Sequence, residues 1–146
     1  MIQNLQKKLE FIELMDQMKN IERAILLKNR RQESNADHSF HLAMMVIVFA
    51  EDFPQLDTYK CVKLALIHDL VEIYAGDTIV LDIEHEKTKE ERERAAVYKF
   101  AAEFGNNIFE GLIDLMNDYE EKNSAESKFV YSLDKVQPII QVVNEG

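Results

Sequence analysis

His68 and Asp69 stand side by side in Leu64-Ala65-Leu66-Ile67-His68-Asp69-Leu70-Val71-Glu72-Ile73-Tyr74-Ala75-Gly76-Asp77, an apolar run where neither side chain belongs uncompensated. Burying an unpaired carboxylate is costly, so an aspartate there calls for a bound cation or a firm hydrogen-bond partner. Neighbours on a helix point about 100° apart, so this doublet diverges yet can reach one point off a common side. Glu72 lies one helical turn beyond both and shares that side. His38 upstream and Asp134 downstream are further candidate ligands that folding would have to bring in. Two imidazoles and two carboxylates suit a borderline or hard divalent ion, and the lack of thiolates argues against a structural zinc site. Four such ligands leave room for water and a substrate oxygen, and a divalent ion lowers the pKa of a bound water to about 7. Glu72 would orient that water or move its proton, and Asp77 could act from the opposite side. Hydrolysis is the reaction these parts suit.

Any single buried histidine or aspartate is more often a hydrogen-bonded structural residue than a ligand. The combination with Glu72, Asp77, His38 and Asp134 is what points to a site. His41 reads as a residue at the pocket rim or in a structural hydrogen bond, His85 as a solvated loop residue, and Tyr74, Met44 and Met45 as core.

The elements that must position these groups read as helices. An amphipathic helix is expected over 3–18, with Leu5, Leu9, Ile12 and Met15 at helical spacing, followed by a basic stretch holding Arg23, Lys28, Arg30 and Arg31. Ser34 to Asp37 offer N-caps for a helix over 37–52, which Phe53-Pro54 ends. Asp57 caps a helix over 58–75 that Gly76 closes, and an irregular loop follows over 77–86. Thr88 with Glu91 forms a capping box for 88–104, ended by Gly105. A helix over 107–122 turns Ile108, Leu112, Leu115 and Met116 inward. Ser124 opens the last helix, from 125, with Phe129, Val130, Leu133 and Val136 inward and Pro138 kinking it just past Asp134. With no internal repeat or second domain, residues 1–146 read as one all-α, single-domain bundle of about six helices around a central metal site.

Composition agrees. Apolar residues make up 47% of the chain, with four glycines and two prolines, too few breakers for a many-turned β fold. The lone cysteine, Cys61, reads as a small buried hydrophobe and asks for no oxidising compartment. No stretch approaches the roughly 20 apolar residues of a membrane span, and the N-terminus lacks a secretory apolar block, so a cytoplasmic protein without membrane contact is expected. A net charge of −10 argues against a nucleic-acid polymer as partner but admits a small phosphorylated molecule where metal and local cations overcome the field.

Four blocks resemble the HD-domain metal-dependent phosphohydrolases, in particular the small 5′-deoxynucleotidase branch. They are Arg31-Gln32-Glu33-Ser34-Asn35-Ala36-Asp37-His38; His68-Asp69-Leu70-Val71-Glu72 with Gly76-Asp77; Ser124-Ala125-Glu126-Ser127-Lys128-Phe129-Val130; and Leu133-Asp134-Lys135. The similarity runs from about residue 20 to 140. It implies one divalent ion (manganese, cobalt, zinc, iron or magnesium) held by His38, His68, Asp69 and Asp134, with Glu72 as the principal acid/base or water-orienting group and Asp77 in support. Arg23 falls where the family keeps an arginine near the substrate phosphate, and Glu120 falls near the pocket. The implied activity is a phosphomonoesterase acting on nucleoside 5′-monophosphates, with a homodimer as the common assembly. Hydrolysis of a triphosphate, an alarmone or a cyclic dinucleotide is the alternative within the family, and a non-catalytic nucleotide-sensing module the alternative outside it. Ala24 departs from the tryptophan that bacterial deoxynucleotidases carry against the sugar, which puts the sugar preference, and nucleotides as the substrate class, in question.

Overall fold

In a computed structural model of the chain, which describes residues 2–75, 88–105 and 107–145, Ser34 sets the start of the helix that carries His38. Its hydroxyl accepts from the Asp37 backbone N–H at 3.1 Å, and the Asp37 carboxylate accepts from the Ser34 N–H at 2.8 Å. This reciprocal box satisfies backbone donors that a helix start leaves unpaired, and α2 runs Asn35–Ala50 from it. Arg31 adds two bonds to the same carboxylate, at 2.7 and 3.3 Å.

Before α2 come α1 (Ile2–Met15), a 3-10 turn (Asp16–Lys19) and an antiparallel hairpin of β1 (Glu22–Leu26) and β2 (Gln32–Ser34). Glu22 lies opposite Ser34 and Leu26 opposite Gln32. The sequence reading missed these strands because the turn carries no glycine. Arg30 takes the left-handed conformation at φ 71°, and the Asn29 side chain accepts from the Arg31 N–H at 3.0 Å, a local bond that shapes the reversal.

Asp57 caps α3 (Thr58–Ile67) by accepting from the Lys60 N–H. The helix does not continue to residue 75 as expected. At the doublet the chain tightens into turns, with Leu70 N–H bonded to Ile67 and Glu72 N–H to Asp69, before a short α4 (Glu72–Ala75). The His68 ring bonds the Ala65 carbonyl at 2.6 Å, a local side-chain bond of the kind that competes with helix continuation.

Further on, α5 spans Lys89–Glu103, α6 spans Leu112–Glu121 and α7 spans Ala125–Glu145 with Pro138 inside it. Gly105 follows α5 at φ 53°, where glycine avoids the Cβ penalty. The expected capping box at Thr88 is not formed; the Thr88 hydroxyl accepts from Arg92 instead. α6 begins later than position 107, because Gly111 at φ 88° precedes its first turn.

Two buried clusters flank the doublet. Phe11, Leu70, Val71, Phe100, Phe104 and Met116 build one, and Leu42, Val46, Cys61, Leu64 and Val130 the other. The expected inward stripe of α1 is overturned: Leu5, Leu9 and Ile12 are exposed, and Phe11 turns inward. Val136 is likewise exposed rather than buried, since the inward face of α7 carries Gln137. Among the described residues, no helix is long and apolar enough to cross a membrane.

Candidate metal centre

The N-terminal half of α2 carries His38, the end of α3 carries His68, the turn after it Asp69, and the middle of α7 Asp134. Folding brings the four together. His38, His68 and Asp69 each offer a ligating atom within 4.8 Å of the others. Asp134 Oδ1 lies 2.6 Å from His38 Nε2 and 3.4 Å from His68 Nε2. His38 is fully buried and His68 is 4% exposed.

Ligating atoms crowd this largely buried place. His68 Nε2 and Asp69 Oδ2 are buried 3.1 Å from each other and neither makes a well-formed hydrogen bond, a state that native structures rarely leave uncompensated. His38 Nδ1–H donates to the Gln137 side-chain oxygen at 2.9 Å, so the close approach of His38 Nε2 to a carboxylate needs a proton or a cation between them. Burial would lower the His68 pKa, but the charges of Asp69 and Asp134 outweigh it and push the imidazole up to about 10. Burial likewise opposes ionisation of Asp134, yet its bonds to His38 and His68 hold it well below the usual carboxylate range. Two ionised carboxylates facing two imidazoles fit a divalent cation in charge and in ligand chemistry.

Arg23 reaches the same place from β1. Its Nε donates to Glu33 at 3.0 Å and Nη1 lies 3.5 Å from Asp69. Glu72 opens α4, and its carboxylate accepts from the side-chain amide of buried Asn35. Glu120, near the end of α6, lies apart from the four-residue cluster but close enough to feel Asp69; burial and then a hydrogen bond with Glu93 push it up to about 8. It lines an open cavity of about 920 Å³ with Arg94, Tyr98 and Asn117. His41 bonds the Gln137 amide. Asp77 and His85 lie outside the described residues.

Glu33, Asn35, Gln137 and Tyr119 join the site without having been singled out. Glu33 and Asn35 flank the Ser34 cap, and Gln137 follows Asp134 by one helical turn, a spacing that places it on the same face. Tyr119 packs edge-on against His68, with ring centroids 5.3 Å apart, and buries a hydroxyl with no hydrogen-bond partner.

Comparison with known proteins places this geometry in a family. The family model described as HD domain matches residues 15–146. Human 5′-deoxynucleotidase HDDC2 is 33% identical over 135 residues, covering 91% of this chain and 65% of the human protein. The Xenopus laevis protein of the same name is 32% identical, covering 92% and 67% respectively. This chain thus spans about two thirds of the length of these curated relatives. Among solved structures, a "predicted metal-dependent phosphohydrolase" from Magnetospirillum magnetotacticum superposes with a TM-score of 0.81 at 33% identity, over 94% of this chain and 71% of its own. A conserved hypothetical protein from Pyrococcus furiosus gives 0.74 at 29% identity, over 94% of this chain and 78% of its own. With a family match over nearly its whole length and relatives at this identity, the chain belongs to the HD-domain family.

Proposed function

We propose that this chain is a metal-dependent phosphomonoesterase that hydrolyses nucleoside 5′-monophosphates, deoxy forms included, to nucleoside and phosphate. The observation that carries the reading is the convergence of two imidazoles and two carboxylates, with His68 Nε2 and Asp69 Oδ2 buried outside any well-formed hydrogen bond, beside the Arg23 guanidinium. The names of its relatives supply the nucleotide. His38, His68, Asp69 and Asp134 would hold one divalent ion, with manganese, cobalt, zinc, iron and magnesium as candidates. When bound, such an ion polarises a phosphate oxygen and acidifies a water. Arg23 meets the phosphate, where a planar cation offsets its charge in an acidic protein. Glu72, braced by Asn35, aligns the attacking water and takes its proton as the new P–O bond forms. The bond from phosphorus to the sugar oxygen breaks, and that oxygen takes the proton Glu72 gained, directly or through water, which restores the Glu72 carboxylate. Asp77 supports Glu72, and Glu120 borders the nucleoside.

Ala24 is exposed on β1 next to Arg23, and strand alternation sends adjacent side chains to opposite faces. It supplies no wall for a sugar, so ribo- and deoxyribonucleotides belong in the same assay. The reading also takes residues 1–146 as one domain acting in the cytoplasm. The exposed row Phe40, Met44, Ile47 and Val48 on α2 supports a homodimer, which sedimentation would show as a doubled mass. The direct test is phosphate release from a panel of nucleoside mono- and triphosphates and cyclic diesters with Mn²⁺ or Co²⁺, repeated after chelation. Monophosphates should turn over and the chelator should stop them. Turnover of triphosphates or diesters alone would move the substrate class, and none at all would leave a binding module.

A further inference from the structure

Behind the cluster lies a second layer that is almost wholly sealed. Glu33 is 1% exposed, and Gln137 and His38 are 0% exposed. Glu33 uses both oxygens: Oε1 accepts from Arg23 Nε at 3.0 Å and Oε2 from Gln137 Nε2 at 3.0 Å. The Gln137 amide nitrogen also meets His41 Nδ1 at 2.9 Å, and its oxygen meets His38 Nδ1 at 2.9 Å.

The orientation of that amide follows from chemistry. A carboxylate only accepts, so the amide must turn its NH₂ toward Glu33. Flipping it would set oxygen against carboxylate in a buried place, an uncompensated repulsion. With the nitrogen committed, the oxygen faces His38 and can only accept, so His38 must carry its proton on Nδ1. Nε2 is then the lone pair aimed at Asp134 and the cluster. The same amide donates to His41, which must offer Nδ1 unprotonated.

We propose that Glu33 and Gln137 are positioning residues that fix the tautomer of His38 and couple it to Arg23. The proposal rests on the reading of His38 as a metal ligand and Arg23 as the phosphate partner. One buried carboxylate thereby sets both halves of the site: the arginine through one oxygen, the ligand histidine through the other by way of Gln137. Groups that orient a ligand histidine through its second nitrogen typically change metal affinity by roughly 10–100-fold when lost.

The test compares Glu33→Gln and Gln137→Leu in the full chain. Titration calorimetry with Mn²⁺ alone should show roughly 10–100-fold weaker binding in both variants. In Zn²⁺-loaded, ¹⁵N-labelled protein, the His38 Nδ1 proton should give a slowly exchanging signal in the parent and lose that protection in both. With nucleoside monophosphate as substrate, KM should rise about tenfold or more in Glu33→Gln, which replaces the anionic partner of Arg23 with a neutral amide, and stay near the parent value in Gln137→Leu. Unchanged Mn²⁺ affinity and an unchanged Nδ1 signal in both folded variants would overturn the proposal. So would equal KM changes in the two, since Glu33 would then have no separate hold on Arg23. Should Glu33→Gln not fold, Glu33→Asp takes its place, with the same directions expected at smaller size; parent-like behaviour on every readout would be equally fatal. The Mn²⁺ and proton measurements need no substrate. A parent protein that turns over no nucleotide therefore defeats the proposed activity without touching them.

Discussion

Glu72 accepts from Asn35 at the first turn of a four-residue helix, beside the doublet but outside the trio of mutually close ligand atoms. In the proposed reaction a group placed there would govern protons more than metal. Glu72→Ala should therefore keep its metal by elemental analysis while losing roughly 10²–10⁴ in turnover, the usual size of a general acid–base contribution. Asp69→Ala should instead lose the metal, because it removes a ligating carboxylate and leaves the Arg23 cation beside the site unneutralised. Glu120 makes a different prediction. Burial, and then Glu93, raise its pKa to about 8 from an ordinary 4.5. A carboxyl raised on folding contributes stability below its unfolded value and loses it as pH climbs through the folded one. The chain should thus lose stability between pH 4.5 and about 8 on this account. Glu120→Gln should flatten that slope in urea titrations across the window, and an unchanged slope would show that Glu120 is not the group responsible.

At the scale of elements, the start of α2 matters most, since His38 stands one turn past its cap. Ser34→Ala removes one half of the capping box and should cost about 1 kcal/mol in denaturant unfolding. It should also loosen His38 and weaken Mn²⁺ binding. The Arg31 guanidinium, and then Ser34, hold the Asp37 carboxyl at about 2 against an ordinary 3.8. A depressed carboxylate contributes stability above its unfolded pKa and loses it as pH falls through its folded one, so this box should fail between about pH 4 and 2. Asp37→Asn should erase that part of the acid-unfolding curve. The break of α3 at His68 is the other decisive feature. Tightened turns re-aim Asp69 and Glu72, which a continuous helix would have placed on one fixed stripe.

Across the whole molecule, the cluster joins α2, α3 and α7, with His38 and Asp134 96 positions apart. A cation bound there ties three helices at the seam between the two buried clusters, so it should stabilise the native state by mass action. At metal one hundred times above Kd the gain is about 2.7 kcal/mol, or roughly 5–10 °C in Tm for a chain of this size. Scanning calorimetry before and after chelation measures it, and Asp69→Ala should abolish the difference. A chelator that leaves Tm unmoved would show that no ion bridges these helices.

What the sequence by itself determined is local. Ser34, Asp57 and Ser124 announce helix starts because capping bonds span three residues, and Gly105 an end because its conformation is a property of one residue. The candidate ligands were legible for a related reason: buried histidine and aspartate in apolar helical runs demand compensation wherever the chain goes. Only the tertiary structure decided which groups compensate them. Glu33 and Gln137 look in sequence like ordinary surface residues, and only the packing of the hairpin, α2 and α7 seals them behind His38. The exposure of Leu5, Leu9 and Ile12 and the end of α3 at the doublet were settled the same way. Periodicity states which residues share a face, but burial depends on what another element brings against it.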